Sequence, residues 1–279
     1  MHIKNKLLVP SLLSLLLLQA CGGGGGGGTA FPTAPPPAAD APPADAPPSA
    51  PAGGDSGSVS APFARGASAR YQLLGVGSQT FGALSQSEQA PGGAMIRLND
   101  NTLTGASATK EIAGDANFAI GRWTAGTVTR NSGAETLTGT DNRAYHYLAF
   151  NALPALPTSG VATCDTGVFT APTYTGGTAG AAHSGGASGS ASLAFDGTGG
   201  VVSGTLNISA GGATGTVSLN GTVTSPNNTP ITGAFLSGGS GAAIQLGDHG
   251  GGAYVVAAGY AATLSNGARY TGIAKFRCI

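Results

Sequence analysis

Past the first twenty residues, the side chains able to do chemistry are few and scattered. Three histidines stand at His146, His183 and His249, the last beside Asp248. Three imidazoles and a carboxylate would suit a metal ion or a haem if the fold brought them together. No pair has the i, i+4 spacing that sets two imidazoles on one helix face. They read as solvated loop residues, and neither a metal nor another cofactor is expected. A serine hydrolase needs its nucleophile in Gly-x-Ser-x-Gly. Ser240 comes nearest, in Gly238-Gly239-Ser240-Gly241, and Ser188 misses the register. The acids between residues 96 and 145 are spread out rather than paired. Gly-x-Gly strings lack the strand-to-helix context of a nucleotide loop. The one tryptophan, Trp123, reads as a buried packing anchor rather than a ligand-stacking ring. No catalytic constellation emerges, and the chain is not expected to be an enzyme.

The remaining chemistry belongs to three cysteines, and Cys21 has the most telling neighbours. Lys4 and Lys6 precede a twelve-residue apolar run, Leu7 to Leu18, and Ala20 stands before Cys21. This is the pattern of a secretory signal over residues 1–20. Twelve helical residues span only about 18 Å, short of an apolar bilayer core of about 30 Å, and Pro10 weakens a span further. The motif Leu18-Gln19-Ala20-Cys21 resembles the cleavage box of bacterial lipoproteins, with Gln19 an unusual member. That resemblance implies a thioether-linked diacylglycerol and an N-linked acyl chain, such as palmitate, on Cys21. Two chains already anchor stably. Gly22 after the cysteine resembles lipoproteins sent on to the outer membrane.

Residues 21–66 read as a tether. Seven glycines, Gly22 to Gly28, are followed by nine of the 17 prolines between Phe31 and Pro51. Such a stretch has no core-forming pattern. Proline favours an extended, semi-rigid spacer, and twenty residues could reach roughly 60 Å.

Composition bounds the rest. Without the leader, ten cationic side chains face twelve acidic ones, a net charge of −2 with histidine neutral. That is no footprint for nucleic acid. With 49 glycines and 9% charged residues, long helices are disfavoured and short strands with many turns are expected. Cys164 and Cys278 remain as an even pair in a chain expected to be exported, where disulfides persist. A bridge is favoured over two buried thiols.

From residue 160 onward, eight strands are expected, near 160–166, 190–196, 200–209, 213–224, 230–237, 241–247, 253–263 and 269–278. Asp196-Gly197, Asn220-Gly221 and Asn266-Gly267 supply turns or a bulge. Alternation gives each strand a core face. In the last, Tyr270, Gly272, Ala274, Phe276 and Cys278 share one side. Arg269, Thr271, Lys275 and Arg277 share the other, with Ile273 out of place. The fold class expected is all-β: an eight-stranded antiparallel β-barrel over 160–279, behind a smaller β-rich subdomain over 67–159. In a closed barrel the first and last strands are neighbours, so a Cys164–Cys278 bridge would latch the seam. Closure would also remove exposed edges. In the subdomain, strands are expected at Tyr71 to Val76, Ala94 to Leu98, Asn117 to Thr129 and Ala144 to Phe150. Whether 67–159 stands apart or extends the barrel sheet is left open.

Three further segments carry a resemblance. They are Ile231-Thr232-Gly233-Ala234-Phe235, then Gly250-Gly251-Gly252-Ala253-Tyr254, and His146-Tyr147-Leu148 followed by Leu156-Pro157-Thr158-Ser159-Gly160. With the leader and tether, residues 140–279 resemble the barrel of the transferrin-binding protein B-like surface lipoproteins of Gram-negative bacteria, which include factor H-binding proteins and heparin-binding antigens. The resemblance implies a lipid-anchored, cell-surface barrel that binds a host protein through its loops. The partners expected are therefore the membrane, through the anchor, and a host protein. The loop 167–189 and the turns 224–230 and 247–252 are the expected contact surface. A periplasm-facing scaffold is the alternative. One departure matters: where the family carries an asparagine- and acid-bearing loop, this chain has Leu236-Ser237-Gly238-Gly239-Ser240. No family ligand transfers.

Overall fold

The computed structural model describes residues 54–177 and 184–279. The leader, Cys21, the tether before residue 54 and His183 lie outside the described residues. What is described is all-β, with one single-turn 3-10 helix at Phe235–Ser237.

The first half carries β1 (Gly57–Val59), β2 (Ala69–Gly75), β3 (Ser78–Ala83), β4 (Ser87–Gln89), β5 (Met95–Leu98), β6 (Asn101–Asp115), β7 (Phe118–Arg130), β8 (Gly133–Thr138) and β9 (Tyr145–Ala152). The second carries β10 (Gly160–Thr163), β11 (Val168–Phe169), β12 (Thr173–Gly177), β13 (Gly185–Asp196), β14 (Gly199–Ala210), β15 (Ala213–Ser218), β16 (Gly221–Val223), β17 (Gly241–Gly250), β18 (Ala253–Thr263) and β19 (Ala268–Cys278). The larger sheet runs β11-β19-β18-β17-β9-β7-β6-β5-β4, with β1, β2, β3, β8 and β12 attached along it. It therefore takes strands from both sides of residue 160. The smaller sheet is β10-β13-β14-β15, with β16 beside β14. All ladders are antiparallel except β1 on β6.

Burial explains the stacking. The even-numbered side chains of β17 to β19, among them Ile244, Leu246, Val256, Tyr260, Tyr270 and Phe276, share a core with Leu193, Phe195, Val202 and Leu206 of the smaller sheet. The odd-numbered ones, Ala243, Val255, Ala257 and Ile273, pack on Leu74, Phe118, Ile120, Leu148 and Phe150 of β2, β7 and β9. Strands covered on both faces read as near-continuous apolar runs. This corrects the expectation of a polar outer face on the last strand. Ile273 is fully buried, Thr271 and Lys275 nearly so, and only Arg269 and Arg277 of that set are exposed. Ile273 is in place because its face has a cover.

The eight-strand layout also changes. Residues 160–279 hold ten described strands in two sheets, and no closed ladder links them. The 230–237 segment is not a strand: Ile231 makes one isolated bridge to Ala243 before the 3-10 turn. The 213–224 strand breaks at Leu219–Asn220, where Asn220 N–H donates to Ser218 Oγ at 3.3 Å. The ladder partner of β10 is β13, not β19. β10 meets β19 only at its end. There Thr163 N–H donates to Ile279 O at 2.7 Å and Ile279 N–H returns to Thr163 O at 3.0 Å. Cys164 and Cys278 face each other across an isolated bridge and are joined by a disulfide, at a sequence separation of 114.

A third core lies on the far face of β2, β7 and β9, closed over by β5, β6 and β8. Trp123 is its largest buried side chain, and its ring centroid lies 5.8 Å from that of Tyr147. Its indole N–H donates to Met95 O at 2.6 Å, while Met95 N–H donates to the Tyr147 hydroxyl at 3.1 Å. The two aromatics hold both backbone groups of one residue of β5.

Candidate functional site

The histidines do not converge. His146 projects from β9 into the layer between the two halves and is fully buried. Its Nδ1 lies 2.8 Å from Thr170 Oγ1, which in turn accepts from Ile273 N–H at 2.9 Å. Nε2 is buried without a partner in either tautomer. Burial, with Arg122 nearby adding to it, holds the imidazole well below its ordinary pKa of 6.5, so it is neutral. Arg122 itself is paired to Glu111 at 2.7 Å.

A pH dependence follows. The unfolded chain protonates this histidine below about pH 6.5, and the folded chain resists doing so. Stability is therefore full above that pH and is lost as pH falls, by up to about 1.4 kcal/mol per pH unit. His249 shifts the same way and adds to the trend. Urea unfolding between pH 6.5 and pH 5 is expected to show a shallower slope in His146→Asn than in the parent chain. Equal slopes would remove His146 as the cause.

His249 sits at the β17–β18 turn, its Nε2 3.4 Å from Asp115 Oδ2 and its ring 5.7 Å from that of Phe118. Lys275 places its ammonium 4.2 Å from the same Phe118 ring. Burial lowers the pKa of both His249 and Lys275, with Asp115 opposing. Asp248 accepts from Gly250 N–H at 2.7 Å, a local turn bond. Among the described residues no three His, Cys, Asp or Glu side chains gather as a metal would need. Ser240 Oγ accepts from Thr263 N–H at 3.0 Å.

Two of the three expected contact segments are tied down. Turn 224–230 is held from below by Arg70, which donates to Asn227 Oδ1 at 3.0 Å and Thr229 Oγ1 at 3.2 Å. The buried Gln245 amide lies 2.9 Å from the same hydroxyl. Turn 247–252 is docked through His249 on β6 and β7. Of the third segment, 167–189, residues up to Gly177 run along β19 as β11 and β12, Gly185 to Gly189 open β13 against β14, and residues 178–183 lie outside the description.

That third segment borders an open cleft of about 360 Å³. The β2–β3 turn forms one side through Gly77, Ser78 and Gln79. The 3-10 turn forms another through Leu236 and Gly238, and Thr175, Arg269 and Thr271 complete it. Gln79 pins the two turns together, its Nε2 donating to Phe235 O at 3.3 Å. Thr175 Oγ1 donates to Arg269 O at 3.2 Å and fixes the β12–β19 side. Gly238 closes the 3-10 turn with φ at 78°, where a side chain is strained, and a Cβ there would stand 3.1 Å from Arg269 Nη1. A Cβ on Gly176, also at positive φ, would stand 3.2 Å from Nη2. The guanidinium thus lies between two bare stretches of backbone. Leu236, in the loop that departs from the family pattern, is 67% exposed at the rim.

Gln79 escaped the sequence reading, and Arg269 and Leu236 entered it only as a strand-face residue and a loop residue, not as parts of one site. The cleft is assembled from segments nearly two hundred residues apart, and the only local signal was an arginine at the exposed start of an alternating strand. Comparison with protein-family models, with curated proteins and with solved structures finds no match to this chain, so the likeness to barrel lipoproteins rests on the residues quoted above alone.

Proposed function

We propose that this chain is a lipid-anchored binding module, displayed on the outer membrane of a Gram-negative cell and contacting a host protein through loops at one end of its β fold. The observation that carries this is the pairing of a lipoprotein-type leader and tether with a disulfide-joined β unit whose open cleft is bordered by β12, the β2–β3 turn and the 235–238 turn. Three stacked cores make a stiff platform, and binding residues commonly sit on loops held by such scaffolds. In this reading the smaller sheet and β17 to β19 act as a flattened barrel of the transferrin-binding protein B-like kind, latched at Cys164–Cys278. The module uses no cofactor and performs no reaction.

Labelled palmitate is expected to enter the protein, and Cys21→Ser is expected to abolish incorporation and release the chain from membranes. Protease added to intact cells is expected to remove the folded unit. If it stays untouched until the envelope is breached, the domain faces the periplasm and the scaffold alternative holds.

A further inference from the structure

We propose that the cleft around Arg269 is the contact point, and that it takes an acidic side chain of a partner polypeptide, with an adjacent apolar side chain laid on Leu236. This deepens the proposed binding role and rests on it.

The chemistry comes from what lines the cleft. Arg269 is exposed and, among the described residues, has no carboxylate within ion-pair distance. By contrast, Arg122, Arg130 and Arg143 all pair with glutamates. No acid lines the cleft, so the guanidinium is its one formal charge. A guanidinium fork matches a carboxylate with two parallel hydrogen bonds. Its two Nη atoms are the ones beside Gly238 and Gly176, whose missing side chains leave the guanidinium room to lie there. Phosphate groups, by contrast, are usually captured by clusters of arginines, and here there is one. The volume, about 360 Å³, falls at the small end of ligand clefts, which run about 300–1,000 Å³. That suits a side chain or two rather than a whole domain. Leu236 supplies an exposed apolar contact at the rim.

The test uses the full chain in detergent solution and two blocked peptides, acetyl-Ala-Leu-Asp-Ala-amide and its Asn isostere. Amide signals of Gly77, Gly238 and Arg269 are followed by NMR. The Asp peptide is expected to shift them, and to bind at least tenfold more tightly than the Asn peptide at low salt. The preference should weaken as salt is raised. Arg269→Gln is expected to erase it, and Arg269→Lys to keep part of it, since a point charge lacks the fork. Leu236→Ser is expected to weaken both peptides alike. An unchanged urea midpoint in Arg269→Gln shows that the fold is intact. Equal binding of the two peptides, an undiminished preference in Arg269→Gln, or displacement of the Asp peptide by an equal concentration of inorganic phosphate would overturn the assignment. Any of these leaves surface display standing, because protease shaving decides that separately.

Discussion

Removing the Cys164–Cys278 bridge is expected to cost about 5 kcal/mol of folding stability. The bridge closes a loop with a sequence separation of 114 residues. In the chain-entropy model, a loop of that size restricts the unfolded chain by about that amount. Domains are typically stable by only about 5–15 kcal/mol, so the loss is a large fraction of the whole. The native-state geometry points the same way. β10 and β19 share no regular ladder, and the contact around the bridge is the Thr163–Ile279 backbone pair, the Asp165 N–H to Arg277 O bond with Arg277 N–H returning to Asp165 Oδ1 at 2.9 Å, and the sulfur link. Without the link, two hydrogen-bond pairs would hold that seam. Urea unfolding of Cys164→Ala/Cys278→Ala against the oxidised parent measures the cost. Cys278 is fully buried, so reductant should act slowly until the chain is partly unfolded. Mass mapping without reductant should recover both cysteines in one linked peptide. Two thiols that alkylate in the native protein would end the latch idea.

Trp123→Ala is expected to cost about 3–5 kcal/mol, the range for emptying a large aromatic site in a core. The upper end is expected here, because Met95 O also loses its indole donor at 2.6 Å. A buried carbonyl left without a partner costs about 1–3 kcal/mol. Trp123→Phe separates the two effects: it keeps most of the ring contact with Tyr147 and removes only the N–H, for a smaller loss. β5 is four residues long, pairs with β6 at two positions and with the three-residue β4 at three, so its ladders are short and the Trp123 and Tyr147 bonds matter to it. Hydrogen exchange should therefore quicken first at Met95 to Leu98. The protein has one tryptophan, so circular dichroism, not fluorescence, must follow unfolding. An unchanged midpoint in the alanine variant would mean the ring is not the anchor of that core.

Which parts of this fold were legible follows from local pattern. β14 alternates from Val202 to Ile208, β18 reads as an apolar run, and glycine-rich, charge-poor composition disfavours long helices, so the all-β class was readable. β6 was not, although at 15 residues it is the longest strand among the described residues. Its pairing with β7 shifts register between Thr104 and Ala108 and again between Lys110 and Ala113, which breaks the period of two. β11 and β12 were invisible because short Thr- and Gly-bearing segments become strands only where β19 offers an edge. The seam residues could be named from cysteine arithmetic. The cleft could not, because no one of its segments carries a ligand signal alone.

The middle position of β17, β18 and β19 has a consequence for synthesis. A ribosome makes both outer layers first and the strands between them last. Until residues 241–278 emerge, the smaller sheet has no opposing face, and Leu74, Phe118, Ile120 and Leu148 have nothing to cover them. Long-range pairing of this kind is slow and leaves apolar surface exposed while it waits. The nascent chain is thus two half-built sandwiches waiting for a shared filling, and an escort that shields apolar strands during that interval should raise its yield more than any strengthening of the early strands.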